Sequence, residues 1–142
     1  MTDHKLHIAI FLLRVFAGIL FLFQGYDKLF GIGLKGVIGT FQFDAAKHNV
    51  PKPMVVMLAY YTSIVEFAGG IMLVLGLFTN FALYALGLDL VLVCFAFSMM
   101  KPMWDMKHVF PRFILILLLL LLPPENDMFS LDHLFNLKKY IL

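Results

Sequence analysis

Cysteine and charged side chains are both scarce in this 142-residue chain. Its single cysteine, Cys94, excludes an intramolecular disulfide, a paired-cysteine redox motif and a cysteine-only zinc site. Charged residues make up 14% of the chain, and the net charge of +2 is too small to indicate nucleic-acid binding. Because 62% of the residues are hydrophobic and the mean hydropathy is +0.93, an ordinary soluble domain is also excluded.

Four long apolar runs indicate an all-α integral membrane protein. The hydrocarbon core of a bilayer requires about 20 helical residues to cross. The runs predict transmembrane helices over residues 6–30, 54–78, 80–100 and 109–122. We therefore expect a four-transmembrane-helix bundle that forms a single transmembrane domain over residues 1–142.

Two segments outside these runs are predicted to lie at the membrane interface. Residues 34–48 mix apolar positions with Lys35, Asp44 and Lys47, which favours an interfacial helix between helices one and two. The tail, residues 126–142, has apolar residues at helical spacing and Ser130 as a candidate N-cap, which favours an amphipathic helix. Thr79 or Asn80 is the expected cap of the third membrane helix.

Lysine and arginine are concentrated in the loops that join helix one to helix two and helix three to helix four. The positive-inside rule places loops of this kind in the cytoplasm. The sequence therefore predicts that both termini lie on the outer side of the membrane.

Each of the first three helices carries one ionisable residue inside its apolar stretch: Arg14, Glu66 and Asp89. Charges at that depth cost roughly 2.5 to 3.5 kcal/mol each on insertion scales, so these residues should face the bundle interior, on stripes of small residues. At about 1.5 Å of rise per residue, Arg14 and Asp89 lie level and Glu66 lies deeper. We expect Arg14 to contact Asp89, Glu66 or both, and Glu66 to hold a proton, since one cation cannot neutralise two anions.

This intramembrane polar centre has two interpretations. It either fixes helix packing and register, or forms a proton-linked or quinone-adjacent site. A second polar cluster at the far end of helix one either contacts a quinone or lipid head group or anchors the helix end; it consists of Gln24, Tyr26, Asp27 and Lys28. The sequence assigns no catalytic residue and no metal site.

Several short motifs lie in a definite order along nearly the whole chain. They are Leu12-Leu13-Arg14 with Gly18, Gly25-x-x-Lys28-Leu29-Phe30, Pro51-x-Pro53, Glu66-x-x-Gly69-Gly70, Gly76-x-x-Thr79 and Ser130-Leu131-Asp132. Together they resemble the DoxX family of small four-helix bacterial membrane proteins, which is related to thiosulfate:quinone oxidoreductase subunits. The chain has Pro123-Pro124-Glu125-Asn126-Asp127 where a Gly-Pro-Gly type stretch is usual, and the family pattern does not require an acid at Asp89.

The resemblance implies a multi-pass protein of the bacterial cytoplasmic (inner) membrane, surrounded by the lipid bilayer. Three functions remain open, and so does whether the chain is itself an enzyme. The first is a quinone-facing or scaffolding subunit of a membrane oxidoreductase complex, in which redox partner subunits supply the sulfur or metal chemistry and the chain itself binds no cofactor other than a quinone. The second is a proton-coupled transporter that uses Glu66 or Asp89 and acts as a homodimer. The third is a purely structural membrane protein.

Overall fold

Helices account for the secondary structure of the residues that the computed structural model describes, which are 3–100, 107, 109–122 and 127–135. The elements are α1 (Asp3–Tyr26), a π-helical turn (Asp27–Gly31), α2 (Gly33–Ala46), α3 (Lys52–Leu75), α4 (Thr79–Met100), α5 (Val109–Leu121) and α6 (Leu131–Leu134). The all-α prediction is confirmed.

Three helical segments are long and apolar enough to cross a membrane: α1 with the π turn, α3 and α4. Large apolar side chains cover the outward faces of the bundle, as Phe23, Phe81 and Leu121 show. Apolar surface of this extent is typical of contact with lipid rather than water. α5 has 13 residues and a length of about 20 Å, against the ~30 Å of a hydrocarbon core, so a fourth crossing stays a prediction.

The core lies where α1 packs on α3, α3 on α4, and α4 on α5. Helices α1 and α3 approach most closely at glycines: a Cβ added at Gly18 would lie 2.8 Å from the backbone nitrogen of Val74. Gly25 and Gly70 lie even closer to the backbone of the facing helix, since an added Cβ would be 2.3 Å from a backbone nitrogen in each case. The prediction that small residues lie where helices pack closely is therefore confirmed for α1 and α3.

The predicted interfacial segment forms a helix, α2, that packs on α3 and on the π turn. Val37 and Ala45 are its buried residues, and Val55 of α3 packs beside Ala45. The other described side chains of the helix are half-buried or exposed. Its position at a membrane interface stays a prediction.

The tail differs from the predicted amphipathic helix. Within the described residues, α6 is four residues long, and Ser130 caps it as predicted, since its Oγ accepts a hydrogen bond from the backbone N–H of His133 at 3.2 Å. Residues 136–142 of the predicted helix lie outside the described residues. Because Asp132 is buried, α6 is docked on the bundle.

The expected capping of α4 by Thr79 or Asn80 is wrong. The carboxylate of Asp132 accepts hydrogen bonds from the backbone N–H groups of Phe78 and Thr79, each at 2.7 Å. The Thr79 hydroxyl has no hydrogen-bond partner in the described part of the chain. The cap of α4 thus comes from Asp132 in the tail and not from a residue at the start of α4.

Candidate functional site

Three helices and the π turn bring five side chains together in a connected network, which we call the charged centre. Its members are Lys28 of the π turn, Thr62 and Glu66 of α3, Asp89 of α4 and Arg112 of α5. Glu66 and Asp89 are completely buried, with 1% and 0% of their surfaces exposed. Ionised groups in such surroundings require opposite charges and hydrogen bonds close by.

Glu66 lies between two cations. The Nζ atom of Lys28 is 2.5 Å from Oε2, and the Nη1 atom of Arg112 is 3.5 Å from Oε1. Arg112 also donates a hydrogen bond to the side-chain oxygen of Gln24. Glu66 therefore connects α3 to the π turn on one side and to α5 on the other.

A chain of directed hydrogen bonds links Lys28 to Asp89. The Lys28 ammonium donates to Thr62 Oγ1 at 3.1 Å, and the Thr62 hydroxyl donates to Asp89 Oδ2 at 3.4 Å. The other carboxylate oxygen of Asp89, Oδ1, is buried and has no hydrogen-bond partner among the described residues. This buried carboxylate oxygen thus lacks a hydrogen bond from the described residues, which is uncommon for a buried polar atom.

Local structure explains how Lys28 reaches the bundle interior. Gly25 lies against the backbone of Phe67, so the end of α1 is held close to α3. Immediately afterwards the chain forms the π turn, closed by the hydrogen bond from Ile32 N–H to Asp27 O at 2.8 Å. Isolated π-helical turns occur frequently at functional sites. Here the turn carries the cation that pairs with Glu66.

The predicted contact of Arg14 with Glu66 or Asp89 is wrong. The Arg14 guanidinium forms an ion pair with Asp127, with Nε 2.7 Å from Oδ2, and donates to the backbone oxygens of Leu73 and Val74. Leu73 lies two turns beyond Glu66, a distance of about 10 Å along α3. The prediction rested on depth along each helix and on the small-residue stripes, and neither one determines which side chains of different helices face each other.

Arg14 belongs to a second cluster, the tail clamp, formed by Arg14, Asp127, Ser130 and Asp132. The Arg14 cation lies at the C-terminal end of α3, and the Asp132 carboxylate lies at the N-terminal end of α4. Both charges complement the helix dipoles at the α3–α4 turn. The clamp thereby fixes the tail across this turn, helped by the hydrogen bond from Asp132 N–H to Gly76 O at 2.9 Å.

Two cations lie in the charged centre, whereas the expectation of a proton on Glu66 assumed one. That expectation rested on a single arginine shared by two acids. In the structure Lys28 and Arg112 bring two formal positive charges to the two negative charges of Glu66 and Asp89. A single arginine shared by two acids is therefore not what the described residues show, and the proton on Glu66 stays a prediction.

The polar cluster at the end of α1 divides between two environments. Gln24 and Lys28 point into the bundle, where they bind Arg112 and Glu66 respectively. Tyr26 is 53% exposed and its ring packs against Phe30 at 5.1 Å between centroids. Asp27 is exposed and opens the π turn. Contact of these residues with a quinone or lipid head group stays a prediction, and Tyr26 and Asp27 are the two placed to make it.

Sequence reasoning missed Arg112 and Asp127. Arg112 lies inside the predicted helix 109–122, but it was counted among the cations that flank the preceding loop and was not expected to reach Glu66. Asp127 follows the Pro-rich stretch after α5, and no periodicity there connects it with Arg14. Ser130 was predicted as a helix cap but not as part of this cluster, and Asp132 was noted only as part of a motif.

An apolar cavity of about 320 Å³ opens between α3 and α4, and we call it the α3–α4 groove. Its lining residues are Met54, Met57, Leu58, Tyr61, Leu88, Leu92, Phe95 and Ala96. Tyr61 and Leu88 are the immediate chain neighbours of Thr62 and Asp89. The groove and the charged centre therefore lie at the same level along α3 and α4.

An apolar outer surface around a charged interior defines a helical-bundle membrane protein. More particularly, the chain belongs to the DoxX family, whose model matches residues 9–99. The matched part includes Arg14, Lys28, Glu66 and Asp89, and ends before α5 and the tail. No curated protein and no solved structure matches the chain.

Proposed function

We propose that this protein is a quinone-binding subunit of an oxidoreductase complex in the bacterial cytoplasmic membrane, which it crosses several times. The observation that carries the proposal is the adjacency of the α3–α4 groove and the charged centre. Association with redox partner subunits is proposed from the resemblance to a family related to thiosulfate:quinone oxidoreductase subunits.

The groove has the chemical character that a quinone requires. Its volume of about 320 Å³ falls within the usual range for small-molecule pockets, about 300 to 1,000 Å³. Aliphatic, methionine and phenylalanine side chains suit the ring and the isoprenoid chain, and the Tyr61 hydroxyl is a donor suited to a quinone carbonyl oxygen. A few polar groups in an apolar pocket are the usual basis of ligand orientation.

The charged centre supplies ionisable groups, which the apolar groove lacks apart from Tyr61. Tyr61, the polar member of the groove lining, directly precedes Thr62, whose hydroxyl donates a hydrogen bond to Asp89. Reduction of a quinone requires protons as well as electrons, and Asp89 directly follows the groove residue Leu88 in α4. In this arrangement the partner subunit supplies the electrons, and this chain binds the quinone that accepts them.

Binding of decylubiquinone to the purified protein in lipid nanodiscs tests the proposal. We expect saturable binding that Leu92→Trp weakens about tenfold or more by filling the groove, which corresponds to at least ~1.4 kcal/mol. The control Leu117→Trp places the same side chain on α5, where Leu117 is 41% exposed and outside the groove lining. Tyr61→Phe should also weaken binding, and its neighbour Tyr60→Phe should not. Absence of saturable binding, or equal losses in each pair, would overturn the proposal.

A proton-coupled transporter is the second candidate. The observation that favours it is the buried, connected set of ionisable groups with one open carboxylate oxygen, which is the usual composition of an intramembrane proton pathway. Flux driven by a pH gradient in liposomes, together with absence of quinone binding, would favour this candidate over the first.

A further inference from the structure

We propose that Lys28, Thr62 and Asp89 form a proton relay from the end of the bundle that carries the π turn to the inner wall of the α3–α4 groove. The inference deepens the proposed function and rests on it for its purpose. A quinone that becomes a quinol takes up two electrons and two protons, and the apolar lining offers no ionisable group with a proton to give other than the Tyr61 hydroxyl.

The geometry gives the relay a direction. Thr62 has one hydroxyl hydrogen, and the structure commits it to Asp89 Oδ2, because Thr62 Oγ1 is at the same time the acceptor for Lys28 Nζ. A transfer breaks one N–H bond of Lys28 and forms an O–H bond at Thr62. At the same time the original Thr62 proton passes to Asp89 Oδ2. The products are a neutral amine and a neutral carboxylic acid.

The two ends of the relay differ in exposure. The Lys28 side chain remains 16% exposed at the end of α1, whereas Asp89 is fully buried. Lys28 can therefore recover its proton from water, and Asp89 cannot. Protons enter at Lys28 and leave from Asp89 to a reduced quinone oxygen, and the electrons come from the reductant on the partner subunit.

The surroundings of Asp89 allow its charge to change. Glu66, Tyr61 and Thr62 face it from α3, Lys28 from the π turn and Arg112 from α5. The ion pair with Glu66 holds Lys28 in place before the transfer, and it re-forms once Lys28 has recovered a proton. The Oδ1 atom has no hydrogen bond from the described residues, so one side of the carboxyl stays available to a proton acceptor.

Time-resolved infrared spectroscopy after a jump from about pH 9 to about pH 5, with no quinone present, tests the relay. The carboxyl band that Asp89→Asn removes reports the protonation of Asp89. We expect Thr62→Val, which keeps the shape and lacks the hydroxyl, to slow the appearance of this band about tenfold or more. Thr62→Ser, which keeps the hydroxyl, should restore the rate. Thr79→Val is the matched control, because it removes a buried hydroxyl that has no hydrogen-bond partner in the described part of the chain.

Three results would overturn the relay: no band that depends on Asp89, a wild-type rate in Thr62→Val, or the same slow rate in Thr62→Ser. If Thr62→Val does not fold, Thr62→Ala carries the same expectation. The fate of the proposed function is decided separately. If the rate depends on Thr62 but the protein binds no quinone, the relay is supported and quinone binding is overturned. If the protein binds quinone but the rate does not depend on Thr62, quinone binding is supported and the relay is overturned.

Discussion

The Nζ atom of Lys28 lies 2.5 Å from Oε2 of Glu66, joining the π turn at the end of α1 to α3. The pair is buried on the Glu66 side and partly exposed on the Lys28 side. Removal of one partner from a buried ion pair is much more destabilising than removal of both, because a single change leaves an uncompensated charge. Removal of Lys28 alone is therefore expected to lower the free energy of unfolding, whether or not a ligand is bound.

Lys28→Met should lower the free energy of unfolding in detergent by about 3 kcal/mol. The double variant Lys28→Met/Glu66→Gln should recover part of this loss, because it also removes the buried Glu66 charge that the single change leaves without Lys28. Lys35→Met, at an exposed position on α2, is the control and should cost less than about 0.5 kcal/mol. A loss in Lys28→Met no larger than in the control would contradict the pairing.

A double-mutant cycle should couple Arg14 to Asp127 and not to Glu66. We expect an interaction free energy of about 1 to 3 kcal/mol for Arg14→Met with Asp127→Asn, because the two side chains are in contact. Arg14→Met with Glu66→Gln should be additive within about 0.5 kcal/mol, since these sites lie about 10 Å apart along α3. Thermal or denaturant unfolding in detergent measures both cycles. Strong coupling of Arg14 to Glu66 would refute the arrangement described here.

Gly76→Ala should destabilise the protein, whereas Gly39→Ala should not. Gly76 has a φ of 68°, and an added Cβ would lie 2.8 Å from both Arg14 Nη1 and Ser130 Cα, so backbone strain and steric conflict act together. We expect a loss of at least about 1 kcal/mol. Gly39 lies in α2 with open space around it, so alanine there should stabilise the helix by about 0.5 to 1 kcal/mol. Melting temperatures that shift in the same direction would contradict this account.

Asp132→Ala should release the start of α4. It removes two charge-assisted hydrogen bonds to backbone N–H groups and should cost roughly 2 kcal/mol. Hydrogen exchange gives a local measurement: the amides of Phe78 and Thr79 should exchange faster, and those in the middle of α4 should change little. His133→Ala, at the exposed neighbouring position, should leave both amides protected.

Both termini should lie outside the cytoplasm if the positive-inside distribution of lysine and arginine determines orientation. A C-terminal alkaline phosphatase fusion should then be active, and a C-terminal fluorescent protein that matures only in the cytoplasm should be dark. The reverse pattern would show that the loops between helices face outward.

Much of the architecture could be predicted from local sequence properties. The three long helical spans, the helix between the first two and the Ser130 cap depend on apolar content, helical spacing and cap chemistry, which are features of consecutive residues. The burial of Arg14, Glu66 and Asp89 followed in the same way from the cost of a charge in an apolar stretch. The short reach of α6 and the capping of α4 could not be predicted, because both depend on the contact of the tail with a distant turn.

The amino-acid sequence by itself determined that the chain is an α-helical membrane protein of the DoxX family and that three ionisable groups lie in its interior. Only the tertiary structure decided how those groups are paired. Arg14 binds Asp127, Glu66 binds Lys28 and Arg112, and Asp89 receives a hydrogen bond from Thr62. The physical reason is that pairing depends on the rotation and sliding of one helix against another. Close contacts between helices, such as that of Gly25 with Phe67, fix this rotation and sliding. The periodicity of a single helix carries no information on either.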